Sequence, residues 1–303
     1  MQTARGPSSQ ALFAQRMYTA RAPAYEQSWH PSYAARLMRD VVCALPGENV
    51  LVLACGTGLE AFIAVRDVVD VQHSGPRGSR NRGRVVGVDV TPAMLDEARR
   101  RLDREEAKEG GMERGLLEFV EHDITDLDSC AALEGMNGEF DVVVCSCAFV
   151  LLDDPAGVVR GWRKWLPAGR LIIDITHEDN MVPGMVIEAV ARELGVPFHS
   201  NRLWIDSRDS CRHILEREGY QVDRIELLEN IAGDGATSFP ATEAEADRQF
   251  DYVTGGTSTG FVWEDVDMKR ARELFSTKWM ERAVDGRVRS VDGLYVYVAR
   301  PRS

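Results

Sequence analysis

The feature that most constrains this chain is a rhythm: apolar runs of strand length alternate with stretches of helical period. Residues 49–54 read Asn-Val-Leu-Val-Leu-Ala, apolar on both alternating faces, as a strand inside a parallel sheet must be. Gly56-Thr57-Gly58 follows, and then a helical segment through 60–65. Further strands are predicted at 84–89, 117–121, 140–146 and 170–175, with helices from Thr91-Pro92 to about Lys108 and over 158–165. Thr at the cap and Pro at the first helical position are entry signals for the former. Five strands alternating with helices give an α/β fold with a doubly wound parallel sheet.

The flanks are less regular. Ala35, Leu37, Met38, Val41, Val42 and Leu45 predict a helix over 32–45, stopped by Pro46-Gly47. Past 175, helices are expected at 184–194 and 206–219, the second capped by Ser207. A sixth strand is expected at 220–226 and an alternating one at 294–299, after a turn at Asp292-Gly293. Between them, 232–290 carries Phe239, Phe250, Tyr252, Phe261, Trp263, Phe275 and Trp279. The stretch 73–84, with Arg77, Arg80, Arg82, Arg84 and no acid, reads as a solvated insertion, a polyanion-binding tip being the alternative.

A formal net charge of −12 on 303 residues removes any electrostatic reason to approach nucleic acid. No run approaches the ~18 apolar residues a membrane span requires. The six cysteines show neither zinc-site spacing nor a disulfide framework, so no metal is expected and a reducing, cytoplasmic setting is. The chain has no acid before Glu26 but contains Arg5, Arg16 and Arg21. That stretch is read as a frayed tail entering a helix, with a mitochondrial transit peptide as the alternative.

Chemistry concentrates at the strand ends. Gly56 and Gly58 let the backbone bend and approach a ligand, and the helix after them directs its amides at it. Asp89, ending the second strand, can accept hydrogen bonds from both hydroxyls of a ribose. Asp123 can accept from an adenine amino group while Ile124 packs on the ring. Gly56-x-Gly58-x-x-Ala61 and Asp89 also suit a dinucleotide site, so a nicotinamide-dependent oxidoreductase stays open on these features.

In combination the residues resemble the class I S-adenosylmethionine-dependent methyltransferases. The first motif falls at 50–58, the ribose acid at Asp89 and the adenine-loop acid at Asp123; 140–146 is similar to the family's fourth strand and 165–171 to the approach to its fifth. Tyr25, Trp29-His30-Pro31 and the turn Leu53-Ala54-Cys55-Gly56-Thr57-Gly58-Leu59-Glu60 resemble the small-molecule branch with ubiquinone- and menaquinone-type and fungal secondary-metabolite enzymes. Two departures stand out. Val52 replaces the family's first-motif acid, and Ala54 its first glycine.

The resemblance implies a Rossmann-like, doubly wound seven-stranded sheet with a reversed C-terminal hairpin, plus a lid insertion between the last two strands. It divides the chain into a cofactor-capping region (1–32), a core (33–231), an aromatic lid (232–290) and a final strand (291–303). S-adenosyl-L-methionine would be held by Tyr25, Trp29, Ala54, Gly56, Thr57, Gly58, Asp89, Val90, Met94, Asp123, Ile124 and Cys147, with Ala148 and Phe149 beside the transferable methyl. The acceptor would be a small hydrophobic or phenolic metabolite, roofed by the aromatics of the insertion unless these form a core of their own. In-line transfer rests on alignment; should a base be needed, His177 is best placed, ahead of His30 and His199. Non-methylating members of the fold, a cofactor-dependent cyclase or a binding protein, are the main alternative. The oxidoreductase is disfavoured because no Tyr-x-x-x-Lys pair is evident.

Overall fold

The computed structural model describes residues 9–69, 83–108, 111–233, 235–255 and 260–302; of the Arg-rich stretch only 83–84 falls among them. The apolar runs become strands because both of their faces are covered. β1 (Val50–Leu53), β2 (Val85–Asp89), β3 (Leu117–Glu121), β4 (Val142–Cys145) and β5 (Arg170–Thr176) pair in parallel, and β1, β2 and β4 are buried at every position. β6 (Tyr220–Glu229) completes one edge, while β7 (Thr237–Pro240) and β8 (Arg287–Ser290) form a separate antiparallel ribbon. The last strand, β9 (Gly293–Pro301), inserts between β5 and β6 and runs antiparallel to both. The sheet order is β3-β2-β1-β4-β5-β9-β6.

Strand alternation divides the core. Leu51, Leu53, Val143, Cys145, Leu171 and Ile173 pack with Phe149, Trp162 and Leu215. Val50, Val52, Val142, Val144 and Ile172 pack on the opposite face with Tyr33, Leu37, Phe62 and Leu95. The first layer includes α5 (Pro155–Trp162) and α7 (Ser210–Arg217); the second includes α2 (His30–Leu37), α3 (Leu59–Asp67) and α4 (Pro92–Glu106). Preceding them all, α1 (Ser9–Arg21) lies across the end of the sheet, against α4.

Some local expectations need correction. The helix expected over 32–45 is α2 running into a wider turn at Met38–Val42, and it ends on Cys43 at φ 46°, ahead of Pro46-Gly47. Ser207 does not cap α7. Ser210 accepts the amides of Asp206 and Ser207, and the helix starts only after that turn closes.

A third cluster lies beyond the sheet. α6 (Val182–Glu193), α8 (Glu243–Thr254) and α9 (Met268–Glu281) bury Val182, Val186 and Val190 with Phe250, Trp263, Phe275 and Trp279. Phe275 stacks on Trp279 at 6.1 Å and meets Phe250 edge-on at 5.6 Å, arrangements that add to simple burial.

Candidate functional site

The order of the parallel strands reverses between β1 and β4, the point where such sheets open a crevice beyond their carboxyl ends. The chain leaves both strands through a left-handed residue, Ala54 at φ 53° and Cys147 at φ 54°. Non-glycine residues hold that conformation only where their surroundings enforce it. The two turns border a cavity enclosing about 710 Å³ including its open mouth.

Gly56 and Gly58 make the approach possible. Both have positive φ, and a Cβ on Gly58 would stand 2.6 Å from the Phe119 ring. Asp89 joins the ends of β1 and β2: its Oδ2 accepts the Gly56 N–H and its Oδ1 the Thr91 N–H, each at 2.8 Å. The Val90 N–H and the Thr91 hydroxyl donate to it as well. Burial raises the Asp89 pKa, and these backbone donors oppose the rise. After β3, Asp123 Oδ1 accepts the Thr125 N–H at 2.9 Å, while Trp162 donates to the Ile124 carbonyl at 2.9 Å.

The cavity's cover is α1. Ala11, Ala14 and Tyr18 face inward at helical spacing. Gln10 donates to the carbonyls of Leu151 and His199, and Gln15 to that of Val90. Tyr18 meets Tyr25 edge-on at 6.3 Å. The sequence reading missed Gln10, Ala11, Ala14 and Tyr18, although the spacing 11-14-18 was there to be found.

Below the floor lies a second group the reading missed. Asp174 of β5, 3% exposed, accepts the Cys147 N–H at 2.8 Å and the Tyr33 hydroxyl at 2.6 Å. Its pKa is raised to about 6, burial outweighing those donors. Glu60, on the first turn of α3, is pushed up to about 7, also chiefly by burial. Ser146, which itself lines the cavity, lies beside both carboxyl groups and its hydroxyl opposes the rise of each pKa.

Of the anticipated cofactor residues, Tyr25, Ala54, Gly56, Asp89, Val90, Met94, Asp123, Ile124 and Cys147 line the cavity. Trp29, Thr57 and Gly58 do not. Trp29 stacks on His30 at 3.9 Å, Thr57 is buried, and Gly58 packs against Phe119 at the start of α3. Ala148 lines the floor, but Phe149 is buried against Trp162.

His177 is a correction. Its amide donates to the Gly293 carbonyl and its ring stacks on Tyr295 at 5.1 Å, so it is held to β9 and away from the β1–β4 crevice. Its Nδ1 accepts the Asp179 N–H at 3.0 Å. His30 and His199 do not line the cavity either; burial lowers both to about 3. Of the two readings of the insertion, the aromatics follow the second, a core of their own. Among the described residues, none from 232–290 lines the cavity; Phe250, Trp263, Phe275 and Trp279 pack with α6, Phe239 lies partly buried against them, and Tyr252 is exposed. The side chain of Phe261 lies outside the described residues.

This arrangement suits an adenosine carrying an amino-acid tail: room where a Cβ would intrude, a carboxylate lining the cavity at the end of β2, and an apolar edge at Ile124. A family model described as a methyltransferase domain matches residues 45–218, more than half of the chain. The chain belongs to that family, the class I S-adenosylmethionine-dependent methyltransferases, and S-adenosylmethionine is its cofactor.

Among similar proteins is an arsenite methyltransferase of Aquipseudomonas alcaligenes, 31% identical over 50% of this chain and 40% of that protein. Another, from Halobacterium salinarum, is 32% identical over 42% of this chain and 27% of its own length. The chain thus spans less than half of these curated relatives. Among solved structures, phosphoethanolamine N-methyltransferase 2 of Haemonchus contortus superposes with a TM-score of 0.54 at 14% identity, covering 98% of this chain and 61% of that one. The cyclase SpnF superposes with a TM-score of 0.54 at 12% identity, covering 99% and 98%. Among the described residues, no helix is long and apolar enough to cross a membrane.

Proposed function

We propose that the protein transfers a methyl group from S-adenosylmethionine to a small, largely apolar acceptor, and does so by alignment without a histidine base. The observation that carries this reading is the cavity at the β1–β4 switch point, whose acceptor end is bordered by Ala11, Ala14, Ala148, Leu151 and Leu152. The bound cofactor supplies a methyl on a positively charged sulfur, so the leaving group needs no acid.

Asp89 would receive the ribose hydroxyls, Asp123 and Ile124 the adenine, and Gly56 the backbone approach. Tyr18 and Tyr25 would cover the sulfur end, since a cationic centre is favoured near an aromatic face and exclusion of water protects it. Gln10 and Gln15 would hold α1 closed over the site. A thiophilic acceptor such as arsenite is a poorer match, because soft centres favour several thiolates. Among the described residues, Cys147 is the one cysteine lining the cavity, and burial holds its pKa well above the ordinary thiol value.

The test is calorimetric titration with S-adenosylhomocysteine, with NAD⁺ in parallel, followed by mass spectrometry of product from S-adenosylmethionine with phenolic, quinol and arsenite acceptors. Micromolar binding lost in Asp89→Ala, with methylation of a phenol or quinol, supports the proposal. Binding of NAD⁺ in its place, or methylation of arsenite alone, overturns it. Cofactor binding with no methylated product points to a non-methylating member.

A further inference from the structure

The carboxyl groups beneath the cavity floor have no cationic partner among the described residues. Asp174 is the nearer in bonded geometry. Its Oδ1 accepts the backbone N–H of Cys147, and its Oδ2 lies 4.0 Å from the Cys147 sulfur, which borders the cavity. Glu60 reaches the same place from the other side of the switch point, through Ser146. The groups facing the pair are Tyr33 from α2, Tyr25 from the turn before it, Cys145 and Cys147 from β4 and its loop, Cys55 from the glycine turn and Cys211 from α7. Each is neutral or negative when it titrates.

A buried negative charge with no counter-ion is costly until a cation arrives. Nothing in the first motif supplies charge here, since Val52 stands at the family's acid position and is buried in the core at 1% exposure. The opposite wall carries Tyr18 and Tyr25, and the Arg21 guanidinium already lies over both rings, 5.2 and 5.8 Å from their centroids. The uncompensated attraction for positive charge at this end of the cavity therefore comes from the carboxyl groups of the floor.

We propose that Asp174 and Glu60 make this cavity select the positively charged S-adenosylmethionine over its product, S-adenosylhomocysteine, whose sulfur is neutral. This rests on the cofactor occupying the cavity as proposed above. The two ligands share their adenosine, amino and carboxylate groups, so those contacts cancel in the ratio of their affinities. What remains is the attraction of the carboxylates for the sulfonium, which ends when the methyl departs. The floor thus favours product exchange after turnover.

The experiment is paired calorimetry with S-adenosylmethionine and S-adenosylhomocysteine from pH 5.5 to 8, on wild type, Glu60→Gln and Asp174→Asn. As the carboxyl groups ionise, the wild-type ratio should move about tenfold toward S-adenosylmethionine. Each variant should flatten that rise while changing S-adenosylhomocysteine affinity much less. Loss of both affinities in parallel would mean a merely structural role and overturn the inference. Should a variant fail to fold, the wild-type series decides: a ratio independent of pH overturns the proposal. Absence of binding by either ligand would overturn the cavity assignment itself, a distinct failure.

Discussion

Around the β1–β4 switch point, Tyr18, Tyr25, Met94 and Ile124 border open space. In the insertion, Phe250, Trp263, Phe275 and Trp279 fill theirs completely. The ingredients are alike and the outcomes opposite, and the backbone explains why. At the switch point two parallel strands lead their chains to opposite sides, and left-handed turns at Ala54 and Cys147 carry the backbone away from the gap. Around α6, three helices present complementary apolar faces that pack against one another. Aromatic richness therefore marks burial, whereas divergence of strands marks binding.

This contrast can be broken experimentally. Trp279→Ala should destabilise the protein by roughly 3–5 kcal/mol, as deletion of a fully buried aromatic does, read from denaturant unfolding. Its S-adenosylhomocysteine affinity under native conditions should stay near wild type; a collapse there would mean that the insertion helps to build the cavity after all. Asp89→Ala should do the reverse. Loss of charge-assisted bonds to a ligand corresponds to about 3 kcal/mol, or roughly a hundredfold in affinity, and calorimetry would show whether the drop is real.

The pH dependence of stability sharpens the site half of the comparison. Glu60 sits near 7 in the folded protein, above the ordinary value of about 4.3 in an unfolded chain. The folded state therefore holds the extra proton between those values. Its contribution is fully present below about pH 4.3 and is lost as pH rises through 7, on the order of 4 kcal/mol. Glu60→Gln has no such proton, so the variant should gain on wild type between pH 4.5 and 8 in unfolding experiments without ligand. The opposite trend would reveal a cation beside Glu60. The smallest effect belongs to His177→Ala. A base contributes about a hundredfold or more, so a change in kcat under about threefold agrees with its seat against β9, and a larger loss would restore it to the reaction.

Much of this was legible residue by residue. The strands showed because Val50 to Leu53 and Val142 to Cys145 are apolar on both faces, a pattern a doubly covered sheet imposes directly on sequence. Gly56, Asp89 and Asp123 showed because each sits at a strand end, where position along the chain already implies position in the crevice. Three things did not show. His177 follows β5 even more closely than Cys147 follows β4, and only the antiparallel pairing with β9 draws it aside. Trp29 and the insertion's aromatics look like ligand-facing groups until their packing partners are known. Asp174 reads as one polar residue in an apolar strand.

The amino-acid sequence by itself therefore determined the alternation of strands and helices, the glycine turn and the acid at the end of β2, because these rest on local periodicity and on backbone conformations few residues permit. Tertiary structure alone decided that α1 covers the cavity, that the aromatic insertion closes on α6, and that Asp174 and Glu60 meet beneath Cys147 and Ser146. Those outcomes depend on contacts between residues far apart in sequence, such as Tyr33 with Asp174 and Gln10 with Leu151. No local pattern encodes them, because their free energy exists only once the sheet has brought both partners together.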